Sequence, residues 1–349
     1  MTEYRPLGRT DLRVSSIALG TMTWGEQNTE AEGHAQLDLA LDQGINFIDT
    51  AESYSIPPRA ETQGSTETII GNWFKARGNR DRVILASKVA GPSERTWLRD
   101  DGSYPRLDAR NINEAIDKSL RRLQTDYIDL YQLHWPNRVL PLFGNAAHAV
   151  RGGIVEEVPI EETLEALDAL VKAGKVRHIG LSNETAWGLS RFLHLSETRN
   201  LPRVVSVQNA FNLLNRTYEG GLSEFHAREQ VGLLAYSPLA QGFLTGKYQN
   251  GARPAGARLT LFDRGGRYQK PGTEEALSRY LAIARDFGLD PAQFAIAWVT
   301  SRPFVTSNII GATSIEQLKS NLASQELTIT PEIEERVDAV FQLHGSPAP

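Results

Sequence analysis

Short apolar, β-branched runs alternate along most of the chain with amphipathic stretches. Eight of the runs read as strands: Ile17–Leu19, Asn46–Asp49, Val83–Ser87, Ile128–Leu133, Val176–Leu181, Val204–Gln208, Leu233–Tyr236 and Asn308–Ile310. Between them, apolar residues recur at the three- and four-residue spacing of a helix face. Ile112, Ile116, Leu120 and Leu123 share one face of a predicted helix from about Asn111 to Leu123, with Asp108 near its start. Ile160, Leu164, Leu167 and Val171 do the same from Ile160 to Ala173, and Gly174 follows where a left-handed cap is expected. Strand–helix alternation repeated eight times predicts an α/β fold closed as an (α/β)8 barrel. An open doubly wound sheet would also alternate, but no Gly-x-Gly-x-x-Gly follows the first strand. Ahead of that strand, Tyr4–Val14 predicts an N-terminal β-hairpin turning around Gly8–Leu12.

Three connections are too long for turns: Val89–Leu107, Trp135–Pro159 and Leu239–Thr273. Each follows a strand, so a barrel would carry all three at its C-terminal face, where long loops are usually functional. The strand ends there are polar. Asp49 ends the second strand, Lys88 follows the third and His134 the fourth; Ser182–Asn183, Gln208 and Tyr236–Ser237 end the next three. Each has an ordinary structural role open to it: a helix cap, a rim salt bridge, a hydrogen-bonded core histidine. Their succession at strand ends points instead to one shared pocket.

Composition narrows the chemistry. The 349 residues suit one barrel domain, 1–349, with insertions. Thirty-seven basic residues against forty-two acidic ones give a net charge of −5 with no basic block, so a nucleic-acid partner is not expected. There is no cysteine, which removes disulfides, thiolate catalysis and thiolate metal sites. The seven histidines are scattered, with no metal-ligand spacing and hence no expected metal, and no nucleophilic-serine elbow is present. The longest apolar run, Phe294–Val299, has six residues, far below the ~18 of a membrane span. A cytoplasmic protein with no membrane partner is expected; oligomeric state is not readable.

The pattern Asp49-Thr50-Ala51-Glu52-Ser53-Tyr54, then Lys88, then His134, resembles the catalytic tetrad of the aldo-keto reductases. Gly20-Thr21-Met22-Thr23-Trp24-Gly25 and Ile179-Gly180-Leu181-Ser182-Asn183 resemble that family's strand-one and strand-five motifs. Tyr236-Ser237-Pro238-Leu239-Ala240-Gln241-Gly242, with Leu244-Thr245-Gly246-Lys247-Tyr248, is similar to its pyrophosphate loop. Ile309-Ile310-Gly311-Ala312-Thr313-Ser314, through Gln317 and Asn321, is similar to its adenosine-phosphate motif. The stretches around Gly25–Asn28, Pro57–Arg59 and Gly71–Trp73 resemble, more narrowly, the bacterial Tas-type NADP(H)-dependent branch.

The resemblance implies a reductase that moves a hydride from NADPH to the carbonyl of a small molecule. Tyr54 would donate the proton that a developing alkoxide needs. A free tyrosine titrates near ~10, and Lys88, held by Asp49, would lower that value. His134 would orient the carbonyl oxygen. Ser182, Asn183 and Gln208 would bind the nicotinamide amide and Tyr236 would stack on its ring, with Thr21, Met22 and Asp49 beside them. Ser237, Pro238, Leu239, Ala240, Gln241, Gly242, Gly311, Thr313, Gln317 and Asn321, with the charges of Lys247 and Arg258, would hold the phosphates and adenosine. Ser182 and Asn183 also stand where a helix N-cap is needed, and Thr313 with Glu316 and Ser314 with Gln317 read as capping boxes. One departure from the family is Ser320, where many members carry Glu. Trp24, Trp135 and Phe143 are candidate apolar walls of the substrate pocket. Two other functions remain open: NAD(P)-linked oxidation of an alcohol or sugar, and a redox-sensing regulatory subunit resembling potassium-channel β subunits.

Overall fold

In the computed structural model, which describes residues 2–145 and 157–349, the chain opens with a two-stranded antiparallel hairpin, β1 (Tyr4–Pro6) and β2 (Arg13–Ser15). Eight strands follow: β3 (Ile17–Gly20), β4 (Phe47–Asp49), β5 (Ile84–Val89), β6 (Ile128–Leu133), β7 (Val176–Ser182), β8 (Val204–Ala210), β9 (Gly232–Tyr236) and β10 (Val305–Ile310). They pair in chain order, all parallel, and β10 closes the ring onto β3. The protein is therefore an (α/β)8 barrel. Strand β5 runs two residues further than the apolar pattern indicates, so Lys88 sits inside a strand rather than after it.

The helices among the described residues are α1 (Glu30–Asp42), α2 (Ser65–Arg77), α3 (Ala109–Leu123), α4 (Ile160–Lys172), α5 (Ala186–Arg199), α6 (Ser223–Glu229), α7 (Arg258–Phe262), α8 (Thr273–Asp286), α9 (Pro291–Thr300), α10 (Ile315–Ala323) and α11 (Pro331–His344). Local chemistry sets many of their starts. Asp108 caps α3 through the Asn111 N–H, and Thr29 with Glu32 makes a reciprocal capping box on α1. Asp290 and Thr330 cap α9 and α11, each followed by proline at the first helical position. Gly174, at φ 74°, turns the chain after α4 as the sequence predicts. No helix among the described residues is long and apolar enough to cross a membrane.

Two apolar layers hold the barrel. The outer one lies between strands and helices and takes in Trp73, Ile112, Leu164 and Trp298. The inner one fills the barrel itself with Ala18, Phe47, Ala86, Leu130, Val205, Leu234 and Ile309. Leu7 and Val14 of the hairpin are fully buried against that inner layer, so the hairpin plugs the end where the strands begin. Gly8 makes the close approach possible: at φ +58°, a Cβ there would lie 2.7 Å from the Val205 carbonyl oxygen. With one end sealed, the cavity can open only where the strands finish.

The helix layer is tightest where α2 crosses α3. A Cβ on Gly71 would meet the Arg122 carbonyl oxygen at 2.1 Å and backbone of Leu123 at 2.8 Å. Alanine is intrinsically the better helix former by ~1 kcal/mol, but overpacking costs about 1–3 kcal/mol. Gly71→Ala should therefore lower the thermal midpoint while leaving the barrel's circular dichroism intact. An unchanged or raised midpoint would show that the two helices are free to separate.

Candidate active site

Lys88 decides the geometry at the open end. Its alternation in β5 points the side chain inward, and it has no solvent exposure. A buried ammonium needs a carboxylate, and Asp49 at the end of neighbouring β4 supplies one, with Nζ–Oδ2 at 2.7 Å. Lys88 also donates to the Thr50 carbonyl at 2.9 Å and to Tyr54 Oη at 3.4 Å. The other carboxylate oxygen of Asp49 accepts from Gln208 at 2.7 Å and from Gln132 at 3.4 Å. Register places these residues together: Lys88 pairs with Gln132 across β5 and β6, and Ser182 with Gln208 across β7 and β8. Sequence reasoning missed Gln132, although an amide inside the buried run Ile128–Leu133 is a signal of its own.

Tyr54 stands on the loop after β4, tied down on both sides. The Glu52 N–H donates to the Lys88 carbonyl at 3.2 Å and the Gly64 N–H to the Tyr54 carbonyl at 2.6 Å. Beneath that loop, Glu52 and Arg99 form a fully buried ion pair at 3.0 Å, and Glu52 accepts the Ala90 N–H at 2.7 Å. The Val89–Leu107 loop is thereby fixed to the segment carrying Tyr54, a link invisible in one-dimensional spacing. The rings of Tyr54 and His134 meet edge to face, 5.6 Å apart. His134 is held by its N–H on the Val89 carbonyl and by Asn183, which donates to its carbonyl at 2.9 Å. Ser53 Oγ lies 3.4 Å from His134 Nδ1.

The electrostatics differ from the expectation in one respect. Burial pushes the Tyr54 phenol up, and the Lys88 cation only partly offsets this, so the net direction is upward rather than downward. Burial opposes the charge on Lys88, but Asp49 and Tyr54 outweigh it and hold the ammonium above its ordinary value. His134 is held well below the ordinary histidine range, first by burial and then by the cations of Lys88 and Arg95. Near neutrality the cluster is thus a protonated phenol, a cationic lysine and a neutral imidazole. Such a group can give a proton to an oxygen beside it and stabilise the phenolate left behind.

A cavity of about 1750 Å³ runs from this cluster to α10. Thr21, Met22, Ser182, Asn183, Gln208, Tyr236, Ser237, Pro238, Leu239, Gln241, Gly242, Lys247, Arg258, Gly311, Thr313, Gln317 and Asn321 all line it. Ala240 does not; it is fully buried behind the others. Trp24 is also misplaced by the sequence reading. It is fully buried, donates to Gln36 at 3.4 Å and lies under Gly33, whose missing side chain makes room for its ring. Trp135 and Phe143 do line the cavity, with the Trp135 ring tilted against that of His134, centres 4.9 Å apart.

Ser182 and Asn183 are not helix caps. Thr185 caps α5, which leaves both facing the cavity. Asn183 adopts φ 52° and accepts from Tyr236 Oη at 2.6 Å, so it joins the β7 end to the β9 end. Ser314 does cap α10, while Gln317 reaches back to Thr313 instead, at 3.1 Å from both its N–H and its hydroxyl. Ser237, Ala240 and Gln241 all have positive φ, which bends the chain tightly after β9. Ser320 lies at the far end of the cavity, 3.4 Å from Gln293 Nε2.

Three features mark the cavity as suited to a long polyanion. Lys247 and Arg258 face it with no carboxylate partner among the described residues. The buried Gln241 Oε1 and Arg267 Nε have no hydrogen-bond partner among the described residues. The start of α10 adds the free N–H groups of a helix terminus.

Comparison with known proteins agrees with this geometry. The model of the aldo/keto reductase family matches residues 16–342. The chain is 51% identical over 349 residues to Protein tas of Escherichia coli (strain K12), covering 99% of this chain and all of that protein. It is 34% identical to the uncharacterized oxidoreductase YrpG of Bacillus subtilis (strain 168), over 99% of this chain and 98% of that protein. It is also 31% identical to a putative voltage-gated potassium channel subunit beta of Schizosaccharomyces pombe, over 97% and 93% of the two chains. With a family match over nearly its full length and relatives matched end to end, the chain belongs to the aldo/keto reductase family.

Proposed function

We propose that the protein reduces aldehyde or ketone carbonyls to alcohols, with NADPH as the reductant and Tyr54 as the proton donor. The observation that carries this reading is the contact of the Lys88 ammonium with both Asp49, at 2.7 Å, and Tyr54 Oη, at 3.4 Å, at one end of the long cavity. When bound, the nicotinamide supplies two electrons to the carbonyl carbon as hydride. Ser182 and Gln208 would hold its amide. Both side-chain N–H groups of Asn183 are already given to His134 and Ser182, which leaves an oxygen lone pair for that purpose. The Gln208 side-chain oxygen is free to accept, because its amide N–H groups go to Asp49 and Gln132. Lys247, Arg258, the bend at Ser237–Gly242 and the Gly311–Asn321 segment would take the phosphates and adenosine.

Burial keeps Tyr54 protonated until an oxygen with developing negative charge comes within reach. The proton then passes from Tyr54 Oη to that oxygen, and Lys88 stabilises the phenolate. Held neutral, His134 can orient the carbonyl oxygen through a ring N–H without competing as an acid; a proton on Nε2 would leave Nδ1 to accept from Ser53 Oγ, 3.4 Å away. A carbonyl substrate of small size would enter along the wall that Trp135 and Phe143 form with their rings edge to face at 6.2 Å.

Tyr54→Phe removes the proton donor and little volume. Carbonyl reduction should fall by at least ~10²-fold, the lower range for general acid catalysis, while NADPH binding, followed by fluorescence quenching, persists. Near-normal turnover by this variant would reject Tyr54 as the donor. Absence of turnover in the wild type across a broad aldehyde panel, with tight NADPH binding, would favour the regulatory reading instead.

Choice of cofactor rests on the two cations. Each charge-assisted hydrogen bond contributes about 1.5–3 kcal/mol, so Lys247→Ala with Arg258→Ala should weaken NADPH at least ~10-fold and weaken NADH much less. Equal losses for both cofactors, or none, would show that these charges do not read the extra phosphate.

A further inference from the structure

Two cations that line the cavity are left over once those assigned above to the phosphates are set aside. Only two carboxylates line it among the described residues, and both are engaged: Asp49 by Lys88 at 2.7 Å and Asp263 by Arg253 at 2.8 Å. Of the lining cations, Arg138 is neutralised by Glu184 at 2.5 Å. Arg267 donates to Tyr236 Oη at 3.3 Å. Lys247 and Arg258 belong to the end assigned above to the phosphates. Arg95 and Arg264 remain, and neither guanidinium makes a hydrogen bond or ion pair with any described residue.

Their position gives them a meaning. Arg95 stands on the Val89–Leu107 loop with its guanidinium 5.7 Å from the centre of the Trp135 ring, and Trp135 lies 4.9 Å from His134. One aromatic residue therefore separates Arg95 from the reacting end of the cavity. Arg264, on the Leu239–Thr273 loop, lines the same cavity, and its cation, after burial, helps hold both the Arg95 and the Arg258 guanidinium below their ordinary values. Two like charges in one cavity with no free carboxylate beside them repel one another. An anion between them would turn that repulsion into attraction, and a bidentate guanidinium suits carboxylate and phosphate alike.

We propose that the substrate bears a carboxylate or phosphate about one ring's width from its reactive carbonyl, and that Arg95 and Arg264 together receive that anion. The proposal rests on the carbonyl-reductase reading and names the substrate class within it. Arg95 and Arg264 act on specificity, not on the proton transfer.

Matched substrate pairs test it. 4-Formylbenzoate is compared with its methyl ester, and glyceraldehyde 3-phosphate with glyceraldehyde. In the wild type, kcat/KM should favour the anionic member of at least one pair by about tenfold, the effect of one charge-assisted contact. The pair that responds distinguishes carboxylate from phosphate. Arg95→Met and Arg264→Met should each collapse that ratio, chiefly through KM, with NADPH affinity unchanged. A wild type indifferent to charge in both pairs would overturn the proposal. So would variants that lower both members of a pair equally, or that lose NADPH affinity in parallel, since the cations would then serve the fold or the cofactor. Calorimetry of terephthalate and of inorganic phosphate against the protein with NADP+ separates the two layers of inference. Binding that depends on Arg95, in a protein that reduces no carbonyl, would sustain the anion site and refute the reductase; turnover without such binding would do the reverse.

Discussion

A lysine with no access to water keeps its charge only if a carboxylate stands against it. Lys88 and Asp49 meet that condition from adjacent strands, and much else in the site follows from their contact. Asp49 uses one oxygen for Lys88 and presents the other to Gln208 and Gln132, so the pair is anchored to four strands of the barrel. Because both charges are fully engaged, the field they project is fixed. Among the described residues, Tyr54 is the one further side chain to which the Lys88 ammonium donates. Burial raises the phenol and the cation pulls the other way, which makes Tyr54 an acid at rest and a stabilised phenolate once its proton has gone.

The architecture serves that arrangement by closing one end and furnishing the other. The hairpin drives Leu7 and Val14 into the bottom of the barrel, and Phe47, Leu130 and Leu234 fill the middle. Polar side chains can then be inward-facing only at the ends of the strands. The loops complete the site from outside the ring. The Glu52–Arg99 pair welds the Tyr54 loop to the Val89–Leu107 loop, and α7 brings Arg258 over Met22, with its guanidinium 3.5 Å from the sulfur. Chemistry is thus held by the sheet, while recognition is held by loops that can differ without disturbing it.

The fold and the four central residues were legible because polar groups interrupt apolar strands at regular places. Asp49, His134 and Gln208 stand out against their neighbours in any reading of the chain. Sign and depth were less legible. The resemblance sets Lys88 beside Tyr54 and so implies a depressed phenol, but the extent of burial, which reverses the net direction, exists only once the strands close. Ser182 and Asn183 read equally as helix caps until Thr185, two residues beyond Asn183, is seen to do that work. Trp24 resembles a pocket wall by its place after β3, yet the glycine at position 33 opens a buried slot for it instead. The cation pair of Arg95 and Arg264 comes from loops far apart in sequence, so no motif could have announced it. The segment 146–156, within the Trp135–Pro159 connection, lies outside the described residues.

The central claim is that the Lys88–Asp49 contact exists for the proton chemistry of Tyr54 and not merely to reconcile a buried charge. Three proteins separate these roles: wild type, Lys88→Met, and Lys88→Met with Asp49→Asn. Removing one partner of a buried pair typically costs about 3–5 kcal/mol, so the single variant should unfold at lower temperature and lose carbonyl reduction. Neutralising Asp49 as well should restore much of the thermal stability. The account predicts that turnover does not return with it, because no cation is left to stabilise the Tyr54 phenolate. Recovery of turnover in step with stability in the double variant would contradict it, and would leave Lys88 a part of the scaffold alone.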